Sequence, residues 1–320
     1  MMPYFEIAGE ERKRLFSLKN NRREVLWEIT GNCNQQCRYC YDTRTLGVQI
    51  DRQRAMDICQ MIREHRWEHV HITGGETLLF PDLAEICDAL SAQQVYLTTN
   101  LTLLGEREIA VLTKPNVVSI AVSLDALRPA VNDALRGNTV LVIEHLKRLL
   151  TLRKQGMITA QIRIHAVMTR YNLKDLFELL AWAKAIGIDE VSCQPVHLDP
   201  AHPCYGELSL TAEDLPEIRK IYALEKQLFA SRYGNTHQEL LEIYYENAQV
   251  RIWGCTKECI CYIDSQGQLW NCPLKKRPWD GRQMLPAEED VCSLSIQCMT
   301  CLKRLTWQDE LSGSGAPLLP

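Results

Sequence analysis

Between residues 24 and 196 the chain alternates two hydrophobic rhythms. Short runs rich in Val, Ile, Leu and Thr fall at 24–30, 69–73, 95–99, 117–124, 159–169 and 190–196. Their length and β-branched content predict strands. Between them, near 51–65, 82–92, 105–112, 138–155 and 174–186, apolar residues recur every three or four positions, the period of an amphipathic helix. Strands separated by helices of this length return to pair in parallel, so the region predicts an α/β fold built from βαβ units. Residues 211–231 predict one more amphipathic helix, and 232–250 a connector rich in Tyr and Glu. The pattern changes again at Gly254, and the Gly/Ser/Pro-rich stretch 311–320 predicts disorder.

Composition excludes more than it identifies. The 320 residues are 24% charged, with a formal net charge of −4. No basic stripe argues for nucleic acid, and Lys275-Lys276-Arg277 reads as a solvated loop. The opening Met-Met-Pro-Tyr-Phe-Glu lacks the layout of a secretory signal. No apolar stretch approaches membrane-spanning length. The expectation is a cytoplasmic protein with neither nucleic acid nor membrane as partner. In that compartment its 14 cysteines are not disulfides. Three crowd into 33–40 and seven into 255–301, while Cys59, Cys87, Cys193 and Cys204 are scattered. Two crowded groups imply two metal centres.

The first group, Cys33, Cys37 and Cys40, follows the 24–30 strand with C-x3-C-x2-C spacing. Zinc knuckles pair C-x2-C units and often add His, whereas this spacing suits three thiolates on one cubane iron–sulfur cluster. A structural cubane has four cysteine ligands. Three leave one iron open, and an open position marks a catalytic metal site. The run resembles the radical S-adenosylmethionine (radical SAM) superfamily. That resemblance implies a 4Fe–4S cluster whose open iron is chelated by S-adenosylmethionine (AdoMet). AdoMet is then cleaved to a 5′-deoxyadenosyl radical that abstracts a substrate hydrogen atom. It implies a partial (β/α)6 barrel with its chemistry at the carboxyl ends of the strands.

Further motifs carry the resemblance along the chain. Tyr39 matches the family's aromatic residue beside the adenine. Ile72-Thr73-Gly74-Gly75-Glu76 closes the second strand and resembles the Gly-Gly-Glu motif that receives the AdoMet ammonium, with Thr77 where proline is frequent. Thr98-Thr99-Asn100 resembles the family's third strand end, so Asn100 joins the cofactor set. Ser123-Leu124-Asp125 and the later Arg136-Gly137 are similar to a ribose-binding serine and an arginine for the AdoMet carboxylate, with Ala126 where glycine is usual. A guanidinium suits a carboxylate because its planar fork donates two parallel bonds. On the fifth strand Arg163 and His165 share a face. If that face is the lumen, both contact substrate; the alternative is a satisfied core or surface histidine. Cys193 and Cys204 flank the sixth strand end, where a thiol returns a hydrogen atom to a substrate radical or is inertly buried.

The second cysteine group fits C-x(9–15)-G-x4-C through Cys255, Gly267 and Cys272, which resembles the SPASM/twitch extension. Residues 263–270 read as a β-hairpin turning at Gly267. The resemblance implies one auxiliary 4Fe–4S cluster held by Cys255, Cys272 and Cys301, with Cys261 or Cys298 as fourth ligand. Cys259 and Cys292 are then spare, or belong to a second, incomplete cluster. The expected organisation is an extension (1–23), the radical SAM partial barrel (24–205), a helical connector (206–253), the small hairpin-based iron–sulfur domain (254–305) and a tail (306–320).

Two functional readings follow. The first is an enzyme that oxidises or epimerises a small sugar or aminocyclitol in a biosynthetic pathway. The second is a maturase that crosslinks, epimerises or oxidises a ribosomal peptide or protein. The roughly thirty residues before the cysteine triplet, too few for a leader-recognition domain, favour the first. Either needs an electron donor such as flavodoxin or ferredoxin. A third reading, a non-catalytic iron–sulfur or zinc protein, leaves the Gly-Gly-Glu and Arg136 motifs without a purpose.

Overall fold

The structure, a computed structural model, describes residues 5–7, 24–40, 47–229, 235–246, 250–253, 260–270 and 291–293. Its strands are β1 (Phe5–Ile7), β2 (Glu24–Thr30), β3 (His69–Gly74), β4 (Gln94–Thr99), β5 (Val117–Ser123) and β6 (Gln161–Met168). They continue with β7 (Glu190–Pro195), β8 (Val250–Trp253), β9 (Ile260–Ile263), β10 (Leu269–Trp270) and β11 (Val291–Ser293). An open eight-stranded sheet runs β10-β9-β2-β3-β4-β5-β6-β7, and β1-β8-β11 form a separate three-stranded sheet. Strands β2 to β7 are mutually parallel and lie in sequence order. This is the expected α/β partial barrel.

Side-chain alternation assigns the two faces of the sheet. Val25, Trp27, Ile29, Val70, Ile72, Val95, Leu97, Ile120, Val122, Ile162 and Ile164 form one core with the helices. Helix Arg52–Glu64 answers with Ala55, Ile58, Cys59 and Ile62, all buried and spaced three or four apart. It starts at Asp51, whose carboxylate accepts from Arg54 N at 2.8 Å, a capping bond that meets an otherwise orphaned donor. The opposite, inner face is polar yet buried, with Glu24, Glu28, Thr30, His69, Ser119, Arg163, Glu190 and Ser192. On it, His71 stacks on Tyr96 with ring centroids 4.5 Å apart, and Arg163 pairs with Glu190 at 2.9 Å.

Three elements differ from expectation. Helix Leu215–Phe229 lies on β7 rather than in a connector. Its Tyr222 hydroxyl donates to Cys193 O at 3.2 Å, and its Glu225 Oε2 accepts from Cys193 N at 3.2 Å. The expected connector holds a further helix, Asn235–Glu246, with Leu241 in the core. The hairpin forms, with Leu269 opposite Ile263 and Gly267 at φ +73°. Its strand β9, however, pairs in parallel with β2 and extends the barrel sheet itself. Arg54 Nη2 donates to Gly267 O at 2.7 Å and fixes the turn to the first barrel helix. Among the described residues no helix is long and apolar enough to cross a membrane. The expected tail and most of the expected 254–305 domain lie outside the described residues.

Candidate active site

The cysteine loop leaves the carboxyl end of β2 and is tied down on both sides. Gly31 N donates to Val48 O at 2.7 Å, Arg38 N to Leu135 O at 3.0 Å and Cys40 N to Cys37 O at 3.0 Å. Asn34 bridges to the end of β4, donating to Thr102 Oγ1 at 2.8 Å and accepting from Asn100 Nδ2 at 2.9 Å. Cys33 and Cys37 are half-buried and Cys40 is exposed.

The glycine pair serves a close approach of backbone to backbone. A Cβ on Gly75 would lie 2.2 Å from Asn32 O, and one on Gly74 2.3 Å from Thr30 O. Gly74 also adopts φ +146°, a region that excludes other residues. The space a side chain would need is filled by the start of the cysteine loop, held by Gly75 N to Thr30 O and Glu76 N to Asn32 O, both 2.7 Å. Glu76 itself is buried. Its Oε1 accepts from Thr99 Oγ1 at 2.5 Å and Leu78 N at 3.0 Å, and its Oε2 from Asn100 N at 2.6 Å. The carboxylate thus joins the ends of β3 and β4, a structural task beside the expected one, and Oε2 accepts a single bond and keeps capacity for another. Burial raises its pKa, against the pull of those three donors.

A dense polar cluster centres on Asp125, fully buried beyond β5. Its Oδ2 accepts from the Tyr39 hydroxyl and from Arg136 Nε at 2.7 Å, and its Oδ1 from Val167 N at 2.8 Å. Asn132 Oδ1 accepts from Asp125 N and Asn172 Nδ2 donates to Asp125 O, each at 2.9 Å. Arg136 lies over the Tyr39 ring, 5.2 Å from its centroid, and its Nη1 is 3.9 Å from Cys37 Sγ. Burial raises the Cys37 thiol and the Arg136 cation opposes it. Burial opposes the Arg136 charge, which Asp125, Tyr39 and Cys37 outweigh, so its pKa is raised. Burial likewise holds Tyr39 in its phenol form.

The other expected residues divide. Ser123, the last residue of β5, is the register partner of His165, which lies within β6. Arg163 lies deeper on the inner face, engaged with Glu190. Cys204 packs against the small apolar cluster that includes Tyr39, with Arg38 Nη2 3.7 Å from its sulfur. Cys193 pairs with Ala166 and joins the helix-facing core, so the site does not include it. Cys261 is also a core thiol, opposite Val25 on the helix-facing side, and burial pushes its pKa up to about 12. Cys255, Cys272, Cys298 and Cys301 lie outside the described residues. Asn132, Asn172 and the Arg38–Glu207 ion pair at 2.5 Å were not anticipated. Asn132 lies within the run that ends in Arg136-Gly137, where its spacing from Asp125 is the only signal.

The donor set fits an iron–sulfur cluster: three thiols on one anchored loop, with a buried cation beside the most buried of them. Among the described residues no three His, Cys, Asp or Glu side chains converge on one ion, and thiolates that bind different irons of a cubane need not. A sequence profile described as the Radical SAM superfamily matches residues 27–198. The chain belongs to that superfamily. As a radical SAM enzyme it uses a 4Fe–4S cluster and AdoMet. It is similar to the mycofactocin maturase MftC of Mycobacterium ulcerans (strain Agy99), 30% identical over 260 residues, 78% of this chain and 68% of that one. The MftC of Mycolicibacterium smegmatis is 25% identical over 256 residues, 78% of this chain and 64% of the relative. Among solved structures, Streptococcus suis SuiB bound to S-adenosylmethionine has a TM-score of 0.63 at 18% identity, covering 85% of this chain and 67% of that one. The structure of anSMEcpe with bound AdoMet and Cp18Cys peptide has a TM-score of 0.58 at 15% identity, covering 89% of this chain and 82% of that one. At those identities the structural likeness concerns the fold of the radical SAM enzyme.

Proposed function

We propose that this radical SAM enzyme is a maturase that modifies a peptide or protein. The observation that carries the reading is the 30% identity to a mycofactocin maturase across 78% of the chain. The structures of SuiB with the precursor peptide SuiA, and of anSMEcpe with a peptide, support it. It therefore ranks above oxidation or epimerisation of a small sugar or aminocyclitol.

In this reading Cys33, Cys37 and Cys40 hold the cluster, and Tyr39, Gly74, Gly75, Glu76, Asn100, Ser123 and Arg136 surround AdoMet. When bound, the reduced cluster and AdoMet supply a 5′-deoxyadenosyl radical for hydrogen-atom abstraction. Asp125 orients Tyr39 and Arg136. Ser123, His165 and the half-exposed Cys204 border the substrate side, Cys204 as hydrogen-atom donor if the outcome is epimerisation. Cys255, Cys272, Cys298 and Cys301 remain the auxiliary-cluster set, because Cys261 is committed to the apolar core. The electron donor is of the flavodoxin or ferredoxin class.

The test is an anaerobic reaction of reconstituted enzyme with deuterated candidates. Peptides encoded beside the gene are compared with sugars and aminocyclitols. Deuterium from a peptide entering 5′-deoxyadenosine supports the maturase reading; label arriving only from a sugar overturns it.

A further inference from the structure

Arg136 is placed as if to serve the cluster before any ligand arrives. Its guanidinium is pinned from behind by Asp125 at 2.7 Å, and Asp125 is itself held by Val167 N, Asn132 and Asn172. Tyr39 supports the face of the guanidinium at 5.2 Å. The remaining end points at a cluster cysteine, with Nη1 3.9 Å from Cys37 Sγ. The side chains of Arg136 and Asp125 are 11% and 0% exposed, so water screens these charges little. Arginine also keeps its proton under all ordinary conditions.

We propose that Arg136 tunes the reduction potential of the cluster through Cys37, and that Asp125 sets how much of the arginine's charge the cluster feels. The inference rests on the radical SAM assignment and is independent of the substrate. One-electron reduction, with the electron from an external low-potential donor, adds negative charge to the cluster and its thiolates. A cation and an N–H donor at a ligand sulfur favour that reduced form and raise the potential. Asp125 supplies a compensating negative charge next to the same guanidinium. The two residues are therefore expected to act with opposite sign.

The experiment uses full-length protein with its cluster installed and neither AdoMet nor substrate present. Iron content is counted, and the cluster is titrated with dithionite and mediators while the reduced signal is followed by electron paramagnetic resonance. R136Q is expected to lower the ratio of reduced to oxidised cluster about tenfold at fixed solution potential, ~59 mV for a one-electron couple. D125N, which retains an oxygen acceptor for Val167 N, is expected to shift it the other way. R136K keeps the charge without the fork and is expected to fall between R136Q and the parent. An unchanged potential in R136Q with full iron content would confine Arg136 to ligand binding and overturn the proposal. Shifts of the same sign in R136Q and D125N would overturn it as well, since they report a common structural disturbance. Failure of the parent to bind a redox-active cluster would instead count against the radical SAM assignment.

Discussion

Replacing Glu76 is expected to destabilise the chain before any cofactor binds. Glu76 is 1% exposed and accepts from Leu78 N, Asn100 N and Thr99 Oγ1. In Glu76→Ala two buried amides lose their acceptor, at about 1–3 kcal/mol each, giving about 4 kcal/mol in total. Glu76→Gln retains the Oε1 acceptor but turns an amide NH2 toward Asn100 N, one bond lost for about 2 kcal/mol. At roughly 2 °C per kcal/mol for a chain of this size, melting falls by about 8 and 4 °C. The assay is urea and thermal unfolding of cluster-free, reduced protein followed by circular dichroism. A residue that only met the AdoMet ammonium would leave that stability within about 0.5 kcal/mol of the parent. If both variants unfold with the parent yet no longer bind AdoMet, the positioning argument fails. The pH dependence gives a second check. Burial raises the folded pKa of Glu76, so the folded chain holds that proton more tightly than the unfolded one. Its contribution is complete below the ordinary carboxylate value and is lost as pH rises through the raised one. Glu76→Gln should lack that part of the slope.

Gly75→Ala would place a Cβ 2.2 Å from Asn32 O; a loss of about 3 kcal/mol should accompany reduced iron per chain, and full iron loading would count against the close-approach argument. Asp125→Ala leaves the Arg136 cation buried without its ion partner, which should lower urea stability by about 3–5 kcal/mol; parent-like unfolding would contradict it. Burial pushes the thiols of Cys59, Cys87 and Cys261 up to about 12 from an ordinary 9.0. Folding keeps these protons where the unfolded chain loses them, so the stability they contribute is intact below about pH 9 and is lost as pH climbs toward 12. Native protein should therefore resist iodoacetamide at these three positions at neutral pH and become reactive there once urea unfolds it, as peptide mapping would read.

Strand positions were legible because buried parallel strands are long, apolar and bounded by polar turns. The run 24–30 coincides with β2, and the other five barrel strands differ by a residue or two at their ends. Helix Asn235–Glu246 was read as a connector because Asn, Thr, His and Gln dilute its apolar stripe at the start. Face assignment was harder. Cys193 lies one residue from Ser192 and Gln194 on the inner face, and one step of alternation decides between lumen and core. The double use of Glu76 was invisible for a different reason. Its partners Thr99 and Asn100 stand more than twenty residues away, and only the sheet brings them together. The side of Cys261 likewise depends on β9 pairing with β2, a contact across more than 230 positions that no local pattern encodes.

The seam between β9 and β2 has a practical consequence for anyone dividing this protein. A truncation ahead of residue 260 would strip the neighbour from the strand that launches the cysteine loop, leaving its Glu24, Val25, Leu26 and Trp27 backbone as a bare ladder. Such ladders recruit other chains, so a shortened version should clump or exchange segments instead of yielding a tidy catalytic half. Affinity tags, fusions and split points are better placed elsewhere than in the stretch that delivers β9.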